Sequence, residues 1–154
     1  GLMLTSEGPK LIEYNVRFGD PECEAIMPRL EGDFAALLYE VATGAAFEAP
    51  RLAADMTMTV IVAAKGYPGT PARGGAIRGL AEAEQVPGVA VFQAGTALRD
   101  GQLVASGGRV LAVTARGRSL GEARGRAYLA VEAIDFADGF HRRDIGWREL
   151  ERTI

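Results

Sequence analysis

"GGRVLAVTARGRSLGEARGRAYLAVEAI" (107–134) places a strand and a helix back to back, and that pair decides the fold. After the glycine pair, the segment to residue 115 is rich in apolar and β-branched residues and reads as a strand. Ser119 and Glu122, three apart, make a capping box, so a helix begins there and runs to about residue 134. Working outward toward the N-terminus, "TALRDGQLVA" (96–105) is a hairpin around Asp100-Gly101 and "GVAVFQAG" (88–95) is a strand. "MTMTVIVAAK" (56–65) is a further strand with period two, followed by the turn-rich loop "GYPGTPARGG" (66–75). The chain closes with "DGFHRRDIGW" (138–147). Strands and one long helix grouped in this way predict an α+β unit.

Upstream of it the pattern differs. "GLMLTSEGPKLIEYNVRF" (1–18) reads as a hairpin with strands at 2–5 and 10–18 and the turn Ser6-Glu7-Gly8-Pro9. In a strand, alternate residues share a side. Glu13, Asn15 and Arg17 therefore form one polar row, and Ile12, Tyr14, Val16 and Phe18 an apolar row meant for burial. "GDPECEAIMPRL" (19–30) starts a helix with Asp20 as N-cap, Pro21 at its first position and Pro28 as an interruption. A second helix over 33–43 puts Phe34, Leu37, Leu38 and Val41 on one face, with Gly44 as its stop. "AAFEAPRLAAD" (45–55) is a connector.

The 154 residues are 48% hydrophobic and 24% charged, enough for a real core. A net charge of −3 argues against nucleic acid or an anionic membrane as partner. No apolar run approaches the roughly 18 residues that span a bilayer. No secretory signal is visible. The single cysteine, Cys23, fits a reducing cytoplasm, and one His with one Cys leaves no ligand set for zinc.

On residue chemistry alone the site readings stay paired. Glu13 and Asn15 either hold a divalent metal through hard oxygens or form a solvated strand face. Arg17 either clamps a phosphate or pairs with Glu13. Arg142 and Arg143, beside His141 and Asp144, are either a phosphate-binding corner or a solvated basic cluster. His141 has no Ser or Cys partner for nucleophilic catalysis. The glycine-rich loop 66–75 lacks the spacing of a phosphate-binding loop.

"GPKLIEYNVRFGDPE" (8–22), then "SGGRVLAVTARGRSLGEAR" (106–124), then "FHRRDIG" (140–146) resembles glycinamide ribonucleotide synthetase, the phosphoribosylamine–glycine ligase family of ATP-grasp enzymes. The resemblance runs in order along essentially the whole chain. Members are several hundred residues long, so it implies a C-terminal fragment: residues 1–48 as the end of an ATP-grasp domain and 49–154 as the small, mostly-β C-terminal domain. It implies a step of de novo purine synthesis in which phosphoribosylamine and glycine are joined through a glycyl phosphate, with ATP as co-substrate and Mg²⁺ or Mn²⁺ as metal. By resemblance Glu13 and Asn15 are the metal ligands and Arg17 faces the reacting phosphate. A looser analogy, with a related ATP-grasp enzyme, gives Asp20, Arg142 and Arg143 contacts to phosphoribosylamine. The sequence departs from the family at Glu24, where Gln is common, and at Pro71 and Arg73, so loop 66–75 is assigned no role. The fragment alone is expected to be inactive, cytoplasmic and able to self-associate. The rival readings are another ATP-grasp ligase or carboxylase-type enzyme and a free-standing binding module.

Overall fold

The computed structural model describes residues 1–152. Its centre is a four-stranded antiparallel sheet in the order β10-β5-β9-β6, with β5 at Met56–Ala64, β6 at Val89–Gln93, β9 at Arg109–Gly117 and β10 at Gly139–Phe140. Helix α4 (Leu120–Ala133) lies across one face. Ser119 caps it by accepting from the Glu122 amide at 3.2 Å. The Glu122 carboxylate reaches back one residue beyond the expected box, accepting from the Arg118 amide at 2.8 Å, and also pairs with Arg126.

Alternation in the strands sorts the two faces. Val60 and Val62 of β5 stand opposite Val113 and Leu111 of β9, and all four join Ala127, Ala130 and Val131 of α4 in the core. Burying each of the larger side chains is worth about 1.5–3 kcal/mol. The other face is more polar. Thr59 and Thr114 share a hydrogen bond at 2.7 Å, and the Thr57 hydroxyl donates to the Ala25 carbonyl at 2.8 Å. Thr114, the buried polar residue, is thereby satisfied within the sheet.

The ladder between β5 and β9 contains a bulge. Val62 pairs with Leu111, but Ala63 pairs with Arg109, so Val110 is an extra residue on β9. The glycine pair just before β9 has a steric reason. A Cβ at Gly108 would stand 2.4 Å from the Tyr67 ring, and one at Gly107 3.1 Å from the Gly95 Cα. The β7 (Thr96–Arg99) and β8 (Gln102–Ala105) hairpin turns over at Asp100-Gly101 as the sequence reading expects, both residues having positive φ. The short helix α3 (Leu80–Glu84), packed against α4 and β6, was not expected.

The first 52 residues build no core of their own, since Ala53 is the first buried residue in the chain. β1 (Leu2–Thr5) and β2 (Gly8–Leu11) form the N-terminal hairpin. Then come α1 (Glu22–Ile26), a 3-10 turn at Met27–Arg29 that carries Pro28, and β3 (Leu30–Glu31) paired with β4 (Arg51–Leu52). Between these strands α2 (Phe34–Thr43) forms as expected, Asp33 accepting from the Ala36 amide at 2.9 Å and Gly44 closing the helix at φ 70°. The short helix α5 (Trp147–Arg152) ends the described chain.

Three expectations for the N-terminal part are corrected. The strand expected over 10–18 stops at Leu11 after four rungs with β1, and Ile12 donates to the Gly1 carbonyl at 2.9 Å. The apolar row is not buried, Tyr14 being 85% and Val16 102% exposed. Asp20 does not cap α1 either. Pro21 occupies that position without a side-chain cap, and the Asp20 carboxylate is engaged elsewhere.

Candidate metal and phosphate site

Residues 12–21 leave the N-terminal hairpin as an irregular, largely exposed segment, and the candidate polar side chains lie along it. At its start the Gly1 nitrogen donates to the Glu13 carbonyl at 2.8 Å. Asn15 Nδ2 donates to Glu13 Oε1 at 3.1 Å, so these two side chains share a side although no strand holds them. One carboxylate and one amide oxygen are hard donors of the kind Mg²⁺ takes when phosphates and water complete its shell. Among the described residues no group of three or more His, Cys, Asp and Glu is arranged to enclose a metal. The pair therefore fits a shared site rather than an all-protein cage. Arg17, next in the row, turns its Nη1 to the Phe18 carbonyl.

Asp20 ends the segment and is held from the other side of the molecule. Its Oδ2 lies 3.1 Å from Nη2 of Arg109, the first residue of β9, and each side chain is 41% exposed. The bulge sets this direction. In a regular ladder Val110 would face Ala63 and Arg109 would face Ala64, a fully buried member of the core on the α4 side. The extra residue turns Arg109 to the opposite face, where α1 and Asp20 lie. Sequence reading missed Arg109, and only the glycine pair before it hinted at an unusual strand start. In α1, Glu24 keeps its Oε2 out of solvent and without a hydrogen-bond partner.

The third cluster follows β10. Arg142 makes a two-pronged pair with Asp144, at 2.9 Å and 2.6 Å. That pairing raises the Arg142 pKa and lowers the Asp144 pKa from their ordinary values. Two residues of α4 anchor the backbone here. Tyr128 donates its hydroxyl to the Arg142 carbonyl at 2.7 Å, and Arg124, stacked over the Tyr128 ring, donates to the Arg143 carbonyl at 2.7 Å. The helix pattern alone gave no reason to expect this anchoring. His141 lies against Tyr128 at a ring separation of 6.0 Å and borders a cavity of about 230 Å³ whose wall also carries Glu132. Burial, then the neighbouring Arg143, lower its pKa, while Glu132 opposes them. Thus Glu13 meets Asn15, Asp20 meets Arg109 and Arg142 meets Asp144, and among the described residues no ion pair joins Asp20 to Arg142 or Arg143. Loop 66–75 closes on itself, Ala72 donating to the Lys65 carbonyl at 2.8 Å.

Comparisons with known proteins place this geometry in a family. The family model described as phosphoribosylglycinamide synthetase, C domain, matches residues 57–148. The one described as phosphoribosylglycinamide synthetase, ATP-grasp (A) domain, matches residues 1–23. The chain is 54% identical over 153 residues to phosphoribosylamine–glycine ligase of Mesorhizobium japonicum, covering 99% of this chain and 36% of that protein. Against the chloroplastic phosphoribosylamine–glycine ligase of Arabidopsis thaliana it is 51% identical over 157 residues, covering 99% of this chain and 30% of that one. The crystal structure of phosphoribosylamine–glycine ligase from Thermotoga maritima superposes with a TM-score of 0.76 at 38% identity, over 94% of this chain and 35% of that structure. The chain thus spans about a third of the length of these relatives. With one family model over the central sheet and its helix, and a second over the segment that carries Glu13 and Asn15, the chain belongs to the phosphoribosylglycinamide synthetase family.

Proposed function

We propose that these residues are part of an ATP-dependent ligase that joins 5-phosphoribosylamine to glycine, giving glycinamide ribonucleotide, ADP and phosphate in purine synthesis. The observation that carries the reading is the pairing of Glu13 with Asn15 at 3.1 Å inside the segment matched by the ATP-grasp model. The Glu13 carboxylate and the Asn15 amide oxygen would hold Mg²⁺ or Mn²⁺, which when bound supplies charge neutralisation on the ATP phosphates. Arg17, which rests on the Phe18 carbonyl here, lends a guanidinium to the phosphoryl group in transfer. Transfer of that group to the glycine carboxylate gives glycyl phosphate. The amine of phosphoribosylamine then attacks its acyl carbon, and phosphate leaves. These side chains act by position and charge. Asp20, Arg142 and Arg143 recognise the phosphoribosylamine, the arginines through its 5′-phosphate.

We put the boundary after residue 48, a reading supported by the absence of buried residues before Ala53. The remainder of the nucleotide site comes from the rest of the enzyme, so the 154 residues alone are inactive. Exposed apolar residues of α2, such as Leu38, Tyr39 and Val41, favour self-association when those parts are absent. No helix of the described residues is long and apolar enough to cross a membrane, and we place the protein in the cytoplasm. The test is Glu13→Ala in the complete enzyme. Turnover should fall by about two orders of magnitude or more with little change in melting temperature, as loss of a group acting on the transition state predicts. Unchanged turnover at limiting Mg²⁺ would overturn the assignment.

A further inference from the structure

We infer that Arg109 is a positioning residue for the ligase reaction: its guanidinium holds Asp20, and with it the 12–21 segment, in the geometry that receives phosphoribosylamine. The inference rests on the proposed reading of Asp20 as a substrate contact and extends it to a residue on a different element. Three observations carry it. The Asp20–Arg109 pair, at 3.1 Å, is among the described residues the one ion pair that joins residues 1–23 to residues 57–148. The segment it ends has little other support. Tyr14 and Val16 are largely in solvent, and within the segment Glu13 and Asn15 bond chiefly to each other. Finally, Arg109 reaches Asp20 because Val110 takes no rung of its own in the ladder, which leaves Arg109 opposite Ala63 and turned away from the α4 side of the sheet. Bulges recur where a strand must re-aim one side chain, commonly beside active sites. The contact is a single one, Nη2 to Oδ2, so a positive charge at that point is what holds the carboxylate in place.

An exposed pair of this kind adds little to stability. Its contribution is to the position of Asp20, so the experiment reads kinetics as well as melting. In the complete enzyme, kcat and the KM values for phosphoribosylamine and ATP are measured for Arg109→Ala, Arg109→Lys, Asp20→Asn and the double variant Asp20→Asn/Arg109→Ala. Arg109→Ala should raise the KM for phosphoribosylamine about tenfold while the KM for ATP stays within about twofold, as misplacement of one substrate contact predicts. Arg109→Lys should recover most of the loss, and the double variant should be no worse than Asp20→Asn alone. Additive losses would mean that Arg109 acts on the substrate independently of Asp20 and would overturn the inference. So would an Arg109→Ala enzyme with unchanged KM while Asp20→Asn is impaired, an outcome that leaves the reading of Asp20 standing. If Asp20→Asn itself changes no parameter, that reading fails and the inference with it. Should Arg109→Ala fail to fold, Arg109→Lys and Asp20→Asn remain, together with early-time backbone hydrogen exchange over residues 12–21 of the complete enzyme, which must be faster in Asp20→Asn than in the unaltered protein if the pair holds the segment.

Discussion

His141 belongs to the cluster after β10, where its ring lies against Tyr128 and where Arg143 and Glu132 act on it in opposite senses. Burial and Arg143 favour the neutral imidazole, so its titration midpoint by NMR should lie below the ordinary 6.5. Because the folded value is the lower one, the unfolded chain takes up the proton first. The stability His141 contributes is therefore full above the unfolded value and declines as pH falls through it toward the folded one. Melting temperature against pH should accordingly be flatter on the acid side for His141→Gln. Arg143→Ala should move the midpoint part of the way back up, and a midpoint that ignores Arg143 would show that burial acts alone. At this scale the sequence spoke unevenly. Glu13 and Asn15 were legible as neighbours because two-residue spacing brings side chains together even in extended backbone without a partner strand. Arg109 was not legible, because its direction is settled by the pairing of β9 with β5.

Elements with their own punctuation were readable in the sequence. Asp33 and Gly44 delimit α2, and Ser119 opens α4, because a capping side chain and a positive-φ glycine act within one turn of the chain. Ser119→Ala should remove the acceptor for the Glu122 amide and cost about 1 kcal/mol, and Ser119→Asp should keep it. In a domain of this size that is a fall of about 2–4 °C in melting temperature, measurable by differential scanning fluorimetry. No shift in Ser119→Ala would mean that the Glu122–Arg118 contact alone secures the helix start. Where partners decide, sequence reading overran or fell short. It continued β2 to residue 18 because alternation carries no information about the length of β1. It omitted the two-residue strands β3, β4 and β10, whose pairing is a consequence of how larger pieces pack.

Across the molecule, burial divides the chain near Ala53. The residues before it contribute nothing to the cluster that β5, β9 and α4 share. Opening free energy follows local packing, so the two parts should exchange backbone hydrogens on different timescales. In hydrogen–deuterium exchange of the 154-residue chain, peptides from residues 1–52 should reach full exchange while those spanning Met56–Ala64 and Leu120–Ala133 remain largely protected. Equal protection of both would mean that the N-terminal part folds as one cooperative unit with the sheet. The α+β character of the larger part was legible from strand and helix signals close together in sequence. The near-absence of a core in the smaller part was not, because its apolar residues are numerous and their pattern does not say what covers them.

The single extra residue in β9 makes this corner of the molecule a matter of parity. With Val110 present, Arg109 and Ala63 share a rung on the Asp20 side of the sheet. Deleting Val110 would leave every pairing and every facing as it is. Inserting one residue between Val62 and Ala63 would regularise the same ladder yet turn Arg109 toward α4. The strand that takes a length change thus matters more than its size, and descendants of this sequence that alter this rung should lose a residue from β9 rather than gain one in β5 if Arg109 is to keep facing Asp20.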